Sequence, residues 1–389
     1  MLPAVVSVNL NMVDNQGSGT VFMNDVAILG GGVVGLFTAR RLAREGRRVT
    51  LFEARQLGAG ASGSAVGVLP APRLSQSAFS RLSREGGDSY GAIAAELFEE
   101  TGIDTGYRPC GCIHLRHELP TDPERELTFW KNSGVEASWR GRDRIDELIP
   151  GYGGEEAFGL ELDREAVIDP AALLAALRSS CLRLGVELVE ETGRLELSEE
   201  SGRAVLPGPW SSRMGPRSRV VVAAGCWTPH AVESLGSRRV DVGPVRGQAI
   251  ELELPPPGCV VHFALAGSGN AYYLVPKPGG RTWVGSTVEE AGYDESTTPH
   301  GLAELLVATR TILPAATEEM VSRQWAGLRP KAMRLGGPFI GRWPGLENLW
   351  IAAGNFKTGI IQAPATARIL CDAMTGDGEI DKSFALLGG

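Results

Sequence analysis

The sequence predicts an α/β protein in which a doubly wound parallel sheet is interleaved with a second, antiparallel sheet. Three observations predict it. A strand-helix-strand pattern with a glycine-rich turn occupies residues 25–52, and short, wholly apolar runs return at 219–225 and 349–353, as strands buried on both faces of a parallel sheet do. Between 240 and 288 the pattern changes to strands separated by turn residues, the signature of antiparallel pairing. A length of 389 residues suits two domains or one large one.

Residues 1–24 read as a polar extension, and Met23 could be the natural start because the first strand follows it directly. Residues 25–29 then form a strand, 33–45 a helix and 48–52 a second strand. A loop of Gly, Ala and Ser from 58 to 67 is small enough for backbone to approach a ligand closely. Beyond it the regular rhythm is lost, with a helix before Gly102 and alternation around Ile113. Asp169-Pro170 starts a helix, the carboxylate as N-cap and proline at the first helical position, and Gly185 stops it. A strand follows at 186–189. Strands are expected at 248–254, 271–276 and 281–287, and a last helix at 359–374. The expected division is residues 25–80, 160–240 and 320–389 in the nucleotide-binding domain, with 81–159 and 241–319 in the second domain.

Composition excludes several functions. A formal net charge of -8 supplies no positive field for nucleic acid or an anionic membrane, so neither is an expected partner. Six cysteines are too few for a disulfide scaffold, and Cys110-Gly111-Cys112 lacks the spacer of common zinc or redox motifs. No run of apolar residues is long enough for a membrane span, and no secretory signal is visible, which makes a reducing, cytoplasmic setting the expectation. The five histidines (His114, His117, His230, His262, His300) show no metal-binding spacing and are expected to be structural or exposed, and Trp227 and Trp283 to be core. No metal is expected.

Gly30-Gly31-Gly32-Val33-Val34-Gly35 follows a strand and opens a helix, the context that makes G-x-G-x-x-G a Rossmann-like dinucleotide fingerprint. Gly30 permits the tight turn, Gly32 admits the pyrophosphate, and Gly35 lets helix and strand pack closely, while the helix N-terminus supplies positive potential. Glu53 ends the second strand, placed to accept hydrogen bonds from ribose hydroxyls. A carboxylate there disfavours a 2′-phosphate and therefore NADP. The fingerprint alone leaves FAD and NAD open.

The C-terminal third decides between them. Trp325-Ala326-Gly327-Leu328-Arg329-Pro330, then Phe339-Ile340-Gly341, then the segment from Ala353-Gly354-Asn355-Phe356-Lys357-Thr358-Gly359-Ile360-Ile361 to Pro364 resemble the FAD-dependent D-amino-acid oxidase family, nearest to glycine oxidases of the thiamin-biosynthesis type. Val242-Gly243-Pro244-Val245-Arg246-Gly247-Gln248, Tyr273-Leu274-Val275-Pro276 and Val284-Gly285-Ser286-Thr287 extend the resemblance over nearly the whole chain from about Val26. It implies the flavoprotein fold shared by D-amino-acid oxidase and glutathione reductase, with FAD roofed by the antiparallel sheet of a substrate domain. Val33, Val34, Glu53 and Ala54 would meet the adenosine and pyrophosphate half. Ala61, Ser62, Val66, Gly67 and Val68 match the small-residue loop along the cofactor, and Arg194 matches a backbone contact to adenine. Gly225 and Gly354 end cofactor-facing strands, and Asn355, Phe356, Lys357, Thr358, Gly359, Ile360 and Ile361 match the loop that meets the flavin's pyrimidine edge. No cysteine lies between Trp325 and Ile340, where sarcosine oxidases attach flavin, so FAD is expected to be bound without a covalent link.

The same resemblance gives Arg329 the grip on a substrate carboxylate and Tyr273 a hydrogen bond to it. Lys357 stands where glycine oxidases usually carry an arginine, and lysine cannot form the same planar pair. The loop 331–337 is one residue longer than usual and lacks its customary aspartate, and Asn355 replaces a common histidine. These implications add up to oxidation of a small amine bearing a carboxylate, such as glycine, sarcosine or a D-amino acid. The imine formed would be hydrolysed to an oxo acid, and O2 reduced to H2O2. Rival readings are a dehydrogenase with a quinone or carrier acceptor, and a tailoring oxidase of an N-substituted amine. A homo-oligomer is compatible with the sequence.

Overall fold

The computed structural model describes residues 24–385 apart from 74, 76, 237–238, 266–268 and 335. The expected extension therefore lies outside the described residues except for Asn24.

A six-stranded sheet runs in the order Phe339–Arg342, Leu349–Ala353, Met214–Val222, Asn24–Leu29, Val49–Phe52, Glu187–Val189. All its pairs are parallel but the one made by the Phe339–Arg342 edge. Alternation along the strands explains the unbroken apolar runs. Val26, Ile28, Leu51 and Val221 face helices Val33–Arg44, Pro170–Arg183 and Gly359–Thr375, whereas Ala27, Leu29, Phe52 and Val222 face a second cluster around Leu197, Leu206 and Trp343. Asp169 caps its helix as expected, its carboxylate accepting from the amides of Ala171 and Ala172 at 2.9 and 3.0 Å.

An eight-stranded sheet lies against this layer, ordered Val321–Ala332, Val242–Leu252, Arg281–Gly285, Ala271–Lys277, Val260–Ala264, Cys112–Arg116, Phe158–Leu162, Ala137–Arg140. Its strands pair antiparallel except Val260–Ala264 with Cys112–Arg116.

Two expected boundaries move. Strand Val321–Ala332, placed with the nucleotide-binding part, instead pairs with Val242–Leu252 from Val242↔Ala332 to Leu252↔Val321. Helix Ala78–Thr101, placed with the second domain, packs on helix Gly359–Thr375. Leu82, Tyr90 and Leu97 join the same core as Val26, and the Tyr90 hydroxyl donates to the Ile360 carbonyl at 2.6 Å. Gly86 makes that approach possible, since a Cβ there would strike the Ile361 carbonyl. All six cysteines are free. Among the described residues no helix is long and apolar enough to cross a membrane.

Candidate active site

The C-terminal ends of the parallel strands and the inner face of the eight-stranded sheet enclose a cleft of about 1140 Å3. That exceeds the roughly 300–1,000 Å3 of an ordinary small-ligand site, leaving room for a dinucleotide and a substrate together.

The glycine turn forms one end. Gly30 has φ +112°, and a Cβ on it would run into the carbonyl of Ala223 on the neighbouring strand's end. A Cβ on Gly35 would strike the carbonyl of Gly30, so Gly35 serves helix packing and does not line the cleft. Helix Val33–Arg44 starts without a side-chain cap. Its Val33 amide donates to the Ser62 hydroxyl at 3.0 Å, which ties the small-residue loop to the fingerprint. Glu53 accepts from the amides of Gly31 at 2.7 Å and Arg55 at 2.9 Å, and is thereby fixed at the strand end with carboxylate lone pairs to spare.

Of the expected cofactor residues, Gly30, Gly32, Val33, Val34, Glu53, Ala54, Ala61, Ser62, Val66, Gly67, Val68, Arg194, Gly225, Asn355, Phe356, Lys357, Thr358, Gly359, Ile360 and Ile361 line the cleft. Gly354 does not. Its φ of +93°, and the 3.1 Å at which a Cβ added to it would meet Ala332, make it a turn between the two layers. Trp227, expected in the core, is on the cleft wall with Arg55 and Arg194 over its ring at 5.3 and 5.9 Å. Its indole nitrogen is buried without a partner among the described residues. A glycine cradle, a helix N-terminus, a carboxylate at the end of the second strand and an indole N–H unpartnered among the described residues together fit a dinucleotide. Trp283 stays in the core as expected, 8% exposed.

The other end is cationic. Strand Val321–Ala332 presents Arg329, whose Nη1 donates to the carbonyls of Arg246 at 3.3 Å and Thr287 at 3.0 Å while Nη2 donates to the Ser286 hydroxyl at 2.6 Å. The guanidinium lies flat over Gly247, where a Cβ would collide with it. Burial pushes its pKa down, and no carboxylate pairs with it among the described residues. Arg246 next to it shows the contrast, paired with Glu289 at 2.7 Å and Asp294 at 2.6 Å as a structural cation. Tyr273, on strand Ala271–Lys277 of the same sheet with two strands between it and Val321–Ala332, also faces the cleft, and burial raises its pKa. Lys357 completes this end, its ammonium pushed down by burial and then by Arg329 and Lys331. Asn355 is buried, its amide donating to Gln362 at 3.0 Å, and so braces the loop in which Phe356 takes φ +50°. Helix Gly359–Thr375 starts here, also without a side-chain cap.

The histidine expectation needs correction. His114, His230 and His262 all line the cleft. His114 and His262 stack at 4.0 Å and 15°, and His262 Nε2 is 2.7 Å from Oε1 of the buried Glu165. Linear spacing hides this arrangement, because the parallel pairing of strands Cys112–Arg116 and Val260–Ala264 sets His114 beside His262. Ligand atoms of Cys112, His114 and His262 lie within 4.8 Å of one another. Near-parallel stacked rings, however, direct their in-plane lone pairs side by side and not toward one ion, and Nε2 of His262 is taken by Glu165, so we assign no metal.

A parallel sheet whose strand ends hold a glycine turn, under an antiparallel roof that presents an arginine with no carboxylate partner among the described residues, defines a two-layer dinucleotide-dependent oxidoreductase. The FAD dependent oxidoreductase family, DAO, matches residues 25–373, and the chain belongs to it. It is an FAD enzyme of the amino-acid and amine oxidase type. The chain is 30% identical over 357 residues to glycine oxidase of Geobacillus kaustophilus, covering 90% of this chain and 92% of that one. It is likewise 30% identical over 366 residues to glycine oxidase of Pseudomonas aeruginosa, with 90% and 94% covered. The crystal structure of the Geobacillus enzyme superposes with TM-score 0.83 at 29% identity over 93% of this chain and 98% of that one. Iminodiacetate oxidase from Chelativorans shares the fold, with TM-score 0.80 at 24% identity over 93% and 98%.

Proposed function

We propose that the chain oxidises a small amine bearing a carboxylate, such as glycine, sarcosine or a D-amino acid, to the imine, which water hydrolyses to the oxo acid with release of ammonia or amine. The observation that carries this reading is Arg329. A guanidinium largely withdrawn from water, bonded to two carbonyls and a hydroxyl and paired with no carboxylate among the described residues, suits a substrate carboxylate. The names of the relatives, glycine oxidases and an iminodiacetate oxidase, agree with a carboxylate-bearing amine.

In this reading Glu53, Ala54 and Arg194 hold the adenosine half of FAD, and Gly32, Val33 and Val34 at the helix N-terminus meet the pyrophosphate. Ser62, Val66, Gly67 and Val68 lie along the cofactor, and residues 355–361 meet its pyrimidine edge. FAD supplies the two-electron acceptor and, through O2, the route to H2O2. Arg329 fixes the carboxylate in its fork and Tyr273 donates its hydroxyl to the same group, which fixes the direction of the Cα–H bond. Lys357 adds a point charge where a bidentate partner is usual, so the grip on the carboxylate is looser on that side.

Turnover in air with glycine, sarcosine, D-alanine and iminodiacetate, followed by assay of oxo acid and peroxide, tests the reading. Equal amounts of the two products are expected from at least one substrate. Oxo acid without peroxide would replace the oxidase by a dehydrogenase, and no oxo acid from any would refute the substrate class.

A further inference from the structure

Next to Tyr273 the cleft wall holds two groups that carboxylate binding and cofactor binding leave unused. Glu165, 2% exposed, lies between strands Phe158–Leu162 and Ala166–Val167. Its backbone carbonyl accepts from the amides of Cys110 at 3.0 Å and Gly111 at 2.8 Å, which fixes the main chain, and its carboxylate Oε2 accepts from the Ala71 amide at 3.3 Å. Oε1 is left for His262 Nε2 at 2.7 Å. His262 is paired in register with Tyr273 across the strands, with ring centroids 5.0 Å apart.

We propose that His262 is a further catalytic residue, the acceptor of a proton from the substrate's ammonium group, and that Glu165 is its positioning residue. This rests on the amine-oxidation reading above. An amino acid enters from neutral water as an ammonium ion, whose nitrogen has no lone pair to drive hydride from Cα. In the first step an N–H bond breaks, its electron pair stays on nitrogen, and the proton passes to His262 Nδ1. The nitrogen lone pair then forms the C=N bond as the Cα–H bond breaks, giving the iminium ion, and FAD, when bound, would supply the acceptor for that hydride pair. A buried carboxylate accepting the Nε2 proton fixes the imidazole as the tautomer with an open Nδ1 and stabilises the imidazolium that forms.

Placement supports the assignment. His262 stands beside a group that grips the carboxylate, its ring centroid 5.0 Å from that of Tyr273, and an α-amino nitrogen is two bonds from its carboxylate carbon. The groups facing His262 are Glu165 behind it, His114 stacked on it, the Cys112 thiol, and Tyr273 with Arg329 beyond. Arg73 and Arg116 act on His114 from farther along the wall. Burial, with His262 next, drives His114 down to about 2, and burial raises the Cys112 thiol out of range, so neither competes for the proton at neutral pH.

The test is the pH dependence of anaerobic flavin reduction by an amine substrate in wild type, H262N and E165Q. Glycolate binding, read from the flavin absorbance, reports on the carboxylate site. In wild type the limiting rate is expected to rise with pH through one ionisation. H262N should lose that ionisation and fall roughly 100- to 10,000-fold at neutral pH, recovering as the amine deprotonates in solution, while retaining FAD and glycolate affinity. E165Q should keep the ionisation but shift it to lower pH, because the imidazolium loses its counter-charge. A reducible H262N with wild-type rate and pH profile overturns the proposal and leaves amine oxidation standing. If no amine reduces the wild-type flavin, the underlying reading fails and the proton-acceptor role with it. Stoichiometric metal in wild type that is absent from H262N would also overturn it.

Discussion

At the scale of single residues, Arg329 and Lys357 are both cations at the carboxylate end, yet physical chemistry separates them. Arg329 is locked by three hydrogen bonds and stays charged at any working pH. Replacing it by methionine should lower kcat/KM by about 100- to 10,000-fold, the cost of truncating one partner of a buried charge pair, with FAD content unchanged. Loss of FAD in R329M would instead make this arginine a structural residue. Lys357 behaves otherwise, since burial, Arg329 and Lys331 all disfavour its charged form. The charged form binds carboxylate, so its depressed pKa means affinity is full at lower pH and is lost as pH rises, earlier than an ordinary lysine would allow. Glycolate titrations between neutral and alkaline pH should show that loss in wild type and a shift of it to higher pH in K357R. A flat profile in wild type would place the ammonium outside the carboxylate's reach.

Among the elements, the first strand-turn-helix unit is proposed to hold the cofactor through one backbone conformation. Gly30 combines φ +112° with contact against the Ala223 carbonyl, so G30A must open the gap between two adjacent strand ends. Purified G30A is expected without FAD and with a lower melting temperature, and a normally yellow G30A would contradict the assigned turn. Strand Ala271–Lys277 carries a different signal at its end. Lys277, 6% exposed, donates to the Ile168 carbonyl at 2.8 Å and lies 4.3 Å from the Trp283 ring centre. Burial brings its pKa from 10.5 to about 8. Across that interval the unfolded chain keeps a proton that the folded chain has released, so this group's contribution to stability rises with pH. The difference in unfolding free energy between wild type and K277M should therefore grow by ~3 kcal/mol from pH 8 to pH 10.5. A constant difference would show that the ammonium reaches water.

For the whole molecule, what could be read from the sequence follows from how local each signal is. The strand 349–353, the Asp169 cap and the Gly30 turn depend on neighbours within a few residues, and the structure has them where the sequence puts them. Partnership between distant segments was less visible. Nothing near Val321–Ala332 announces that its partner is Val242–Leu252, and the two glycines at 86 and 87 hide that helix Ala78–Thr101 packs on the cofactor layer. The site divides the same way. Arg329, Tyr273 and Lys357 sit in contiguous motifs and converge on one cleft end, whereas Glu165, His114 and His262 come from three segments that only the sheet brings together. Trp227 lies on the cleft wall and not in the core, because an apolar context in sequence does not distinguish the two.

The central claim is that this cleft oxidises an amine held by its carboxylate. Its most direct test is to add glycine, sarcosine, D-amino acids and N-substituted glycines one at a time to the purified yellow protein without oxygen, watching the flavin band near roughly 450 nm. Bleaching by at least one of them, absent in R329M, is the result expected. A protein that binds FAD but is bleached by none of them, or is bleached equally well without Arg329, would contradict the account.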